Sequence, residues 1–168
     1  ESVEAVRSAI LLAFQDVKYP GDENLVIDDP DYCLECRDVA REFRGQDWRQ
    51  LSREFVYGQR DSLSLLTPQA FHYFLPGYLL TCAEGEEDLD VAPDNVLSNL
   101  TPPSAVGGAP DNSFLARMQE FTREQAHAIV QYLELADERQ RAAWAPASPP
   151  QDEVGPALVW WREHATSQ

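Results

Sequence analysis

Apolar residues recur every three to four positions along most of this chain, and that spacing predicts helices. The first stripe, Val6, Ala9, Ile10, Ala13, Phe14 and Val17, predicts a helix over 2–16 with Ser2 as its N-cap. It stops before Tyr19-Pro20-Gly21-Asp22. Pro and Gly at the two central positions predict a type II turn, because Pro presets φ and Gly tolerates a positive one. Leu25-Val26-Ile27 follows as a short extended stretch. A second helix is predicted from Asp28 or Asp29 as cap, with Pro30 in its first turn, to Arg44, and Gly45 stops it. Tyr32, Cys36, Val39, Ala40 and Phe43 then share one face.

Trp48, Leu51 and Phe55 predict a short third helix. Thr67 caps a fourth with Pro68 at its first position, carrying Phe71, Phe74, Leu75, Tyr78, Leu79 and Cys82 and bent at Pro76-Gly77. The pattern over Asp94–Leu100 is too short to assign. A short helix over Phe114–Phe121 precedes Thr122-x-x-Gln125, a capping box that opens a long helix to about Trp144. A last helix carries Leu158, Trp160 and Trp161. These elements predict a mainly α fold: one compact helical domain over 1–168, of about six or seven helices, with a short hairpin near 25–27 as its minor strand element. Pro/Gly-rich connectors are expected at 101–112 and 145–156. No internal repeat is visible.

Composition adds two constraints. Hydrophobic residues are 43% and charged residues 25%, enough apolar material for a packed core. No run approaches the roughly 18 apolar residues of a membrane span, and no basic-then-apolar leader opens the chain, so a cytoplasmic address is the expectation. Charge changes the picture more. Thirteen basic against 29 acidic residues give a formal net charge of -16. That surface repels nucleic acid and anionic membrane and attracts a basic protein partner. Three cysteines, Cys33, Cys36 and Cys82, are too few and odd for a disulfide framework and fit a reducing compartment.

Candidate chemistry is sparse. No nucleophile elbow, phosphate-binding glycine loop or zinc-protease helix is present, so no catalytic residue is assigned. Cys33-Leu34-Glu35-Cys36 offers half a zinc site or a redox pair. It lacks a second pair and a βαβ context, and is read as packing cysteines. Asp28, Asp29 and Asp31 do not follow the calcium-loop pattern. No metal and no cofactor are therefore expected. His72 is the histidine with most to offer, since Pro76 leaves its carbonyl without an i+4 amide and Tyr73 and Tyr78 are near in sequence. Arg37, Arg41 and Arg44 line one edge of the second helix, and 33–60 holds six arginines in an acidic chain. They either pair internally with the acidic loops or hold an anion. The stretch Glu84–Asp94, with Glu86, Glu87, Asp88 and Asp90, is either solvated surface or a partner contact.

The set Ala13-Phe14-x-x-Val17-x-Tyr19-Pro20-Gly21-Asp22, Glu35-Cys36, Phe43-Arg44-Gly45-x-x-Trp48 and Leu66-Thr67-Pro68-x-Ala70-Phe71-x-Tyr73-x-Leu75-Pro76-x-Tyr78-Leu79 resembles a family of small bacterial proteins of unknown function. The resemblance covers most of the chain up to Leu133 and implies a compact bacterial domain, with no catalytic residues to carry over. In size and charge the chain also resembles immunity proteins that neutralise basic toxins. The expectation is a non-catalytic binding or regulatory module that meets a basic protein through Glu86, Glu87, Asp88 and Asp90, without nucleic acid or membrane. The alternative is an enzyme or small-ligand binder around His72, Tyr73 and Tyr78, with Arg37, Arg41 and Arg44 as anion contacts. The sequence sets no oligomeric state.

Overall fold

A central apolar helix organises the molecule. The computed structural model describes residues 2–103, 112–143 and 152–166. Most of both expected connectors, 104–111 and 144–151, lies outside the described residues. The eight α-helices among the described residues are α1 (Val3–Ala13), α2 (Leu34–Phe43), α3 (Arg53–Gly58), α4 (Pro68–Glu84), α5 (Ala92–Leu100), α6 (Asn112–Met118), α7 (Arg123–Ala143) and α8 (Gly155–Thr166). Three short 3-10 turns, Asp22–Asn24, Trp48–Gln50 and Ser62–Leu65, join the early ones. The fold is all-α.

From Ala70 to Ala83 every residue of α4 is buried except half-buried His72. A helix apolar all round must be covered on every side. Here α1, α3, α5, α6 and α7 cover it, and α8 packs on α7. Gly77 permits one of these approaches: a Cβ there would lie 2.6 Å from the Trp48 carbonyl oxygen and 2.7 Å from Leu51 Cδ1. Aromatic edges fill the centre, with Phe43 against Phe74 at 4.8 Å and Phe121 against Trp161 at 5.4 Å between ring centroids. The Trp161 indole N–H reaches the Leu100 carbonyl at 2.9 Å, so α8 is tied to the end of α5.

Three of the predicted caps form. Ser2 Oγ accepts the Ala5 amide at 3.1 Å, and Thr67 Oγ1 accepts that of Ala70 at 3.1 Å. In the capping box, Gln125 N donates to Thr122 Oγ1 at 3.3 Å and Thr122 N to Gln125 Oε1 at 3.0 Å.

Four expectations need correction. The second helix begins at Leu34 with Cys33 as its N-cap, later than expected. Asp29 is the reason. Its Oδ1 accepts the Asp31 amide at 2.9 Å and its carbonyl accepts those of Tyr32 and Cys33, a local turn that competes with helix. Tyr32 is consequently 91% exposed rather than on the buried face. The third helix is split, because Ser52 caps α3 separately from the turn at Trp48. Gly21 has φ 94° and ψ 148°, so it is glycine-only backbone but not a type II turn. Finally, residues 25–27 form no hairpin. Val26 makes an isolated antiparallel bridge with Leu66, flanked by Ile27 N to Leu65 O (2.9 Å) and Thr67 N to Leu25 O (3.1 Å). The unassigned stretch before Leu100 is helical, as α5.

Candidate partner-binding site

At the C-terminal end of α4 the last carbonyls of the helix need partners, and arginines supply them. Arg53, from α3, donates to the carbonyls of Thr81 (3.3 Å) and Gly85 (3.1 Å), and also to that of Glu87. Arg139, from α7, donates to those of Cys82 (2.9 Å) and Ala83 (2.5 Å), and lies 3.9 Å from the Glu86 carboxylate. Arg60 pairs with Asp90 at 3.1 Å. Leu89, fully buried, pins the middle of the loop to the core. Asp88 and Asp90 hold positive φ of 63° and 52°, which aspartate tolerates better than most residues.

The outcome is a short acidic loop held by its backbone. Glu86 and Asp90 are paired. Glu87 and Asp88 are exposed, and no ion pair engages either among the described residues. Beside them Arg53, Glu54, Tyr57 and Asp88 line an open concavity of about 490 Å³. Its wall combines the carboxylates of Glu54 and Asp88, which make no ion pair among the described residues, with an aromatic ring that already stacks on one cation, the Arg60 guanidinium 5.0 Å from its centroid. A lysine or arginine side chain suits such a wall.

The arginine edge of α2 is elsewhere. Arg37, Arg41 and Arg44 do share one groove of about 410 Å³, together with Asp22, Glu23 and Pro30. Acids of the same neighbourhood take up two of them: Arg41 meets Asp38 at 3.0 Å and Glu42 at 3.3 Å, and Arg44 meets Asp22 at 3.7 Å. Arg37 is exposed and makes no ion pair among the described residues. The pairing of this edge with the 84–94 loop does not occur; Arg53, Arg60 and Arg139 take that place.

His72, Tyr73 and Tyr78 are not brought together. Consecutive residues on a helix diverge by about 100°, and the three side chains leave α4 in different directions. Tyr78 is fully buried with its hydroxyl on the Gln59 carbonyl at 2.8 Å, and burial raises its pKa. Tyr73 is buried against Tyr19 and Phe74, and burial raises it too. His72 borders a cavity of about 520 Å³, with Asp16, Lys18, Gln69, Glu120 and Gln125.

The His72 Nε2 lies 2.8 Å from Gln125 Oε1, while the Gln125 amide NH2 donates to the Ala13 carbonyl at 3.2 Å. That network assigns the proton to Nε2. Burial holds His72 below the usual imidazole range, against the opposing pull of Gln125 and of the Glu120 carboxylate. Gln125 thus does more than close its capping box: it joins α7 to α1 and α4.

At the start of α2 the Cys33–Cys36 pair gains a third donor that the sequence did not suggest, Asp28. Cys33 Sγ, Cys36 Sγ and a carboxylate oxygen of Asp28 all lie within 4.8 Å of one another. Cys36 is buried, as its place on the apolar face implied, and Cys33 is half-buried. Burial pushes the Cys36 thiol up to about 11. Asp28 was legible as a cap candidate and not as a partner of the cysteines; Asp29 closes the turn between them.

No helix among the described residues is long and apolar enough to cross a membrane. No curated protein and no solved structure matches the chain. One family, described as a family of unknown function, DUF6714, matches residues 5–164. With nearly its whole length matched, the chain belongs to that family.

Proposed function

We propose that this chain is a bacterial, cytoplasmic, non-catalytic binding module that docks a basic protein on the acidic loop between α4 and α5. A lysine or arginine of the partner enters the concavity between Glu54 and Asp88 and lies against Tyr57. One observation carries the reading: Glu87 and Asp88 make no ion pair among the described residues, on a loop whose backbone Arg53 already holds at Gly85 and Glu87. A loop fixed before binding loses little conformational freedom on docking. The net charge of -16 supports it by steering a basic partner inward and disfavouring nucleic acid. An immunity-like role, neutralising a basic protein by covering its cationic surface, fits the same features.

Calorimetric titration with a lysine/arginine-rich folded protein, at low and physiological salt, tests it. Saturable 1:1 binding that weakens with salt, and weakens further in Tyr57→Ala, is the expected result. Absence of binding at both salt concentrations, or an affinity unchanged by Tyr57→Ala, contradicts it.

A further inference from the structure

The start of α2 is built on sulfur. Its N-cap is a cysteine whose Sγ accepts the Cys36 amide at 3.2 Å. The turn before it, closed by Asp29 on the amides of Asp31, Tyr32 and Cys33, reverses the chain and brings Asp28 back over that first turn. Two sulfurs and one carboxylate oxygen converge there.

We propose that Asp28, Cys33 and Cys36 bind a divalent ion of the zinc type, with two thiolates and one carboxylate oxygen as ligands and a fourth position open. The donor set argues the ion. Two sulfurs select a borderline-soft metal over calcium or magnesium, which take oxygen ligands. The geometry argues the coordination. Metal–sulfur bonds of about 2.3 Å and metal–oxygen bonds of about 2.1 Å place tetrahedral donors roughly 3.5–3.8 Å apart. The three donor atoms, none more than 4.8 Å from another, reach that spacing by side-chain rotation.

An outer contact is also in place: the Cys36 amide donates to the Cys33 sulfur at 3.2 Å. Exposed Asp28 and half-buried Cys33 leave an entry path, while Cys36 closes the inner side. Each thiol releases its proton to solvent as its sulfur binds, and no electron changes hands. Three protein ligands and one free position are the arrangement of sites that take water or a partner's group as the fourth ligand.

Titration of the fully reduced chain with cobalt(II), followed by zinc(II), tests the proposal. A 1:1 complex with a sulfur-to-cobalt charge-transfer band and strong tetrahedral visible bands, all lost on adding zinc(II), is expected. Cys33→Ser keeps the helix cap, since a serine oxygen accepts the same amide. Losing a direct ligand costs more than the 10–100-fold typical of outer partners, so this variant should lose at least about 100-fold in affinity and weaken the band. Asp28→Asn, at an exposed position, should keep the band and lose at least about tenfold. A reduced protein, all three thiols titrating, that shows no charge-transfer band overturns the site. So does a band unchanged in Cys33→Ser, and an Asp28→Asn titration equal to that of the parent removes Asp28 and the three-ligand site with it.

Discussion

Two charged segments look alike on paper and differ in space: the Arg37–Arg41–Arg44 edge of α2 and the acidic loop that follows α4. On the α2 edge, guanidiniums meet carboxylates that are themselves exposed, such as Asp38, Glu42 and Asp22, with side-chain exposures of 46–66% on both partners. At the loop, Arg53 and Arg139 meet backbone carbonyls at the end of a buried helix, and the Glu87 and Asp88 carboxylates are left without an ion pair among the described residues. Exposed ion pairs contribute about 0–1 kcal/mol, whereas hydrogen bonds to a charged donor contribute about 1.5–3 kcal/mol. The loop is therefore structural in its backbone and, among the described residues, free at the Glu87 and Asp88 side chains. The α2 edge is neither.

The largest effect that could break this comparison is at Arg139. Arg139→Ala strands the carbonyls of Cys82 and Ala83 and should lower stability by about 2–3 kcal/mol in urea unfolding. A loss under about 0.5 kcal/mol would place the two segments in one class. Next is Gly21, which holds the α2 edge in place by backbone rather than by charge. Its neighbours Tyr19 and Asp22 share a hydrogen bond at 2.7 Å, and the Tyr19 hydroxyl takes the Gly45 amide at 2.9 Å. Gly21→Val, at φ 94°, should cost about 1–3 kcal/mol although no atom lies within 4 Å of the added Cβ. An unchanged melting temperature would show that the backbone there adapts freely.

A smaller effect belongs to His72, whose ring is committed to Gln125 as Arg139 is to its carbonyls. Burial lowers its folded pKa below the unfolded value of about 6.5, so the unfolded chain binds the proton first. Its contribution to stability is complete above about pH 6.5 and is lost as pH falls through the lower folded pKa. His72→Gln should remove that part of the acid-side decline, read as a flatter plot of unfolding free energy against pH. A slope identical to the parent's would mean the ring titrates alike in both states. Smallest of all, Arg41→Ala and Arg44→Ala should each change stability by no more than about 0.5 kcal/mol.

The helices were legible where apolar spacing and caps agreed. Thr67-Pro68, Thr122-x-x-Gln125 and the stripe of α1 each carry their own instruction. The start of α2 was misread because Asp28, Asp29 and Pro30 fit the first turn of a helix as well as they fit a reversing turn, and only Asp29's side-chain bond decides. α5 is nine residues long and its stripe too short to stand out. The candidate site was half legible. Glu87 and Asp88 were visible as acids, but the arginines that hold their loop come from α3 and α7, far off in sequence, and no local pattern announces them. Nor does spacing reveal that His72, Tyr73 and Tyr78 diverge until the helix itself is granted. Once it is, the turn of about 100° per residue separates them.

The comparison rests on Glu87 and Asp88 being free of ion pairs, among the described residues, while their loop is fixed in its backbone. Stopped-flow association of a basic protein with Glu87→Gln/Asp88→Asn tests that directly, with unfolding measured on the same variant. Association should slow and its salt dependence shrink, with dissociation and thermal stability close to those of the parent, because exposed charges act mainly on encounter. Unchanged association, or a loss of stability of about 1 kcal/mol or more, would contradict the account.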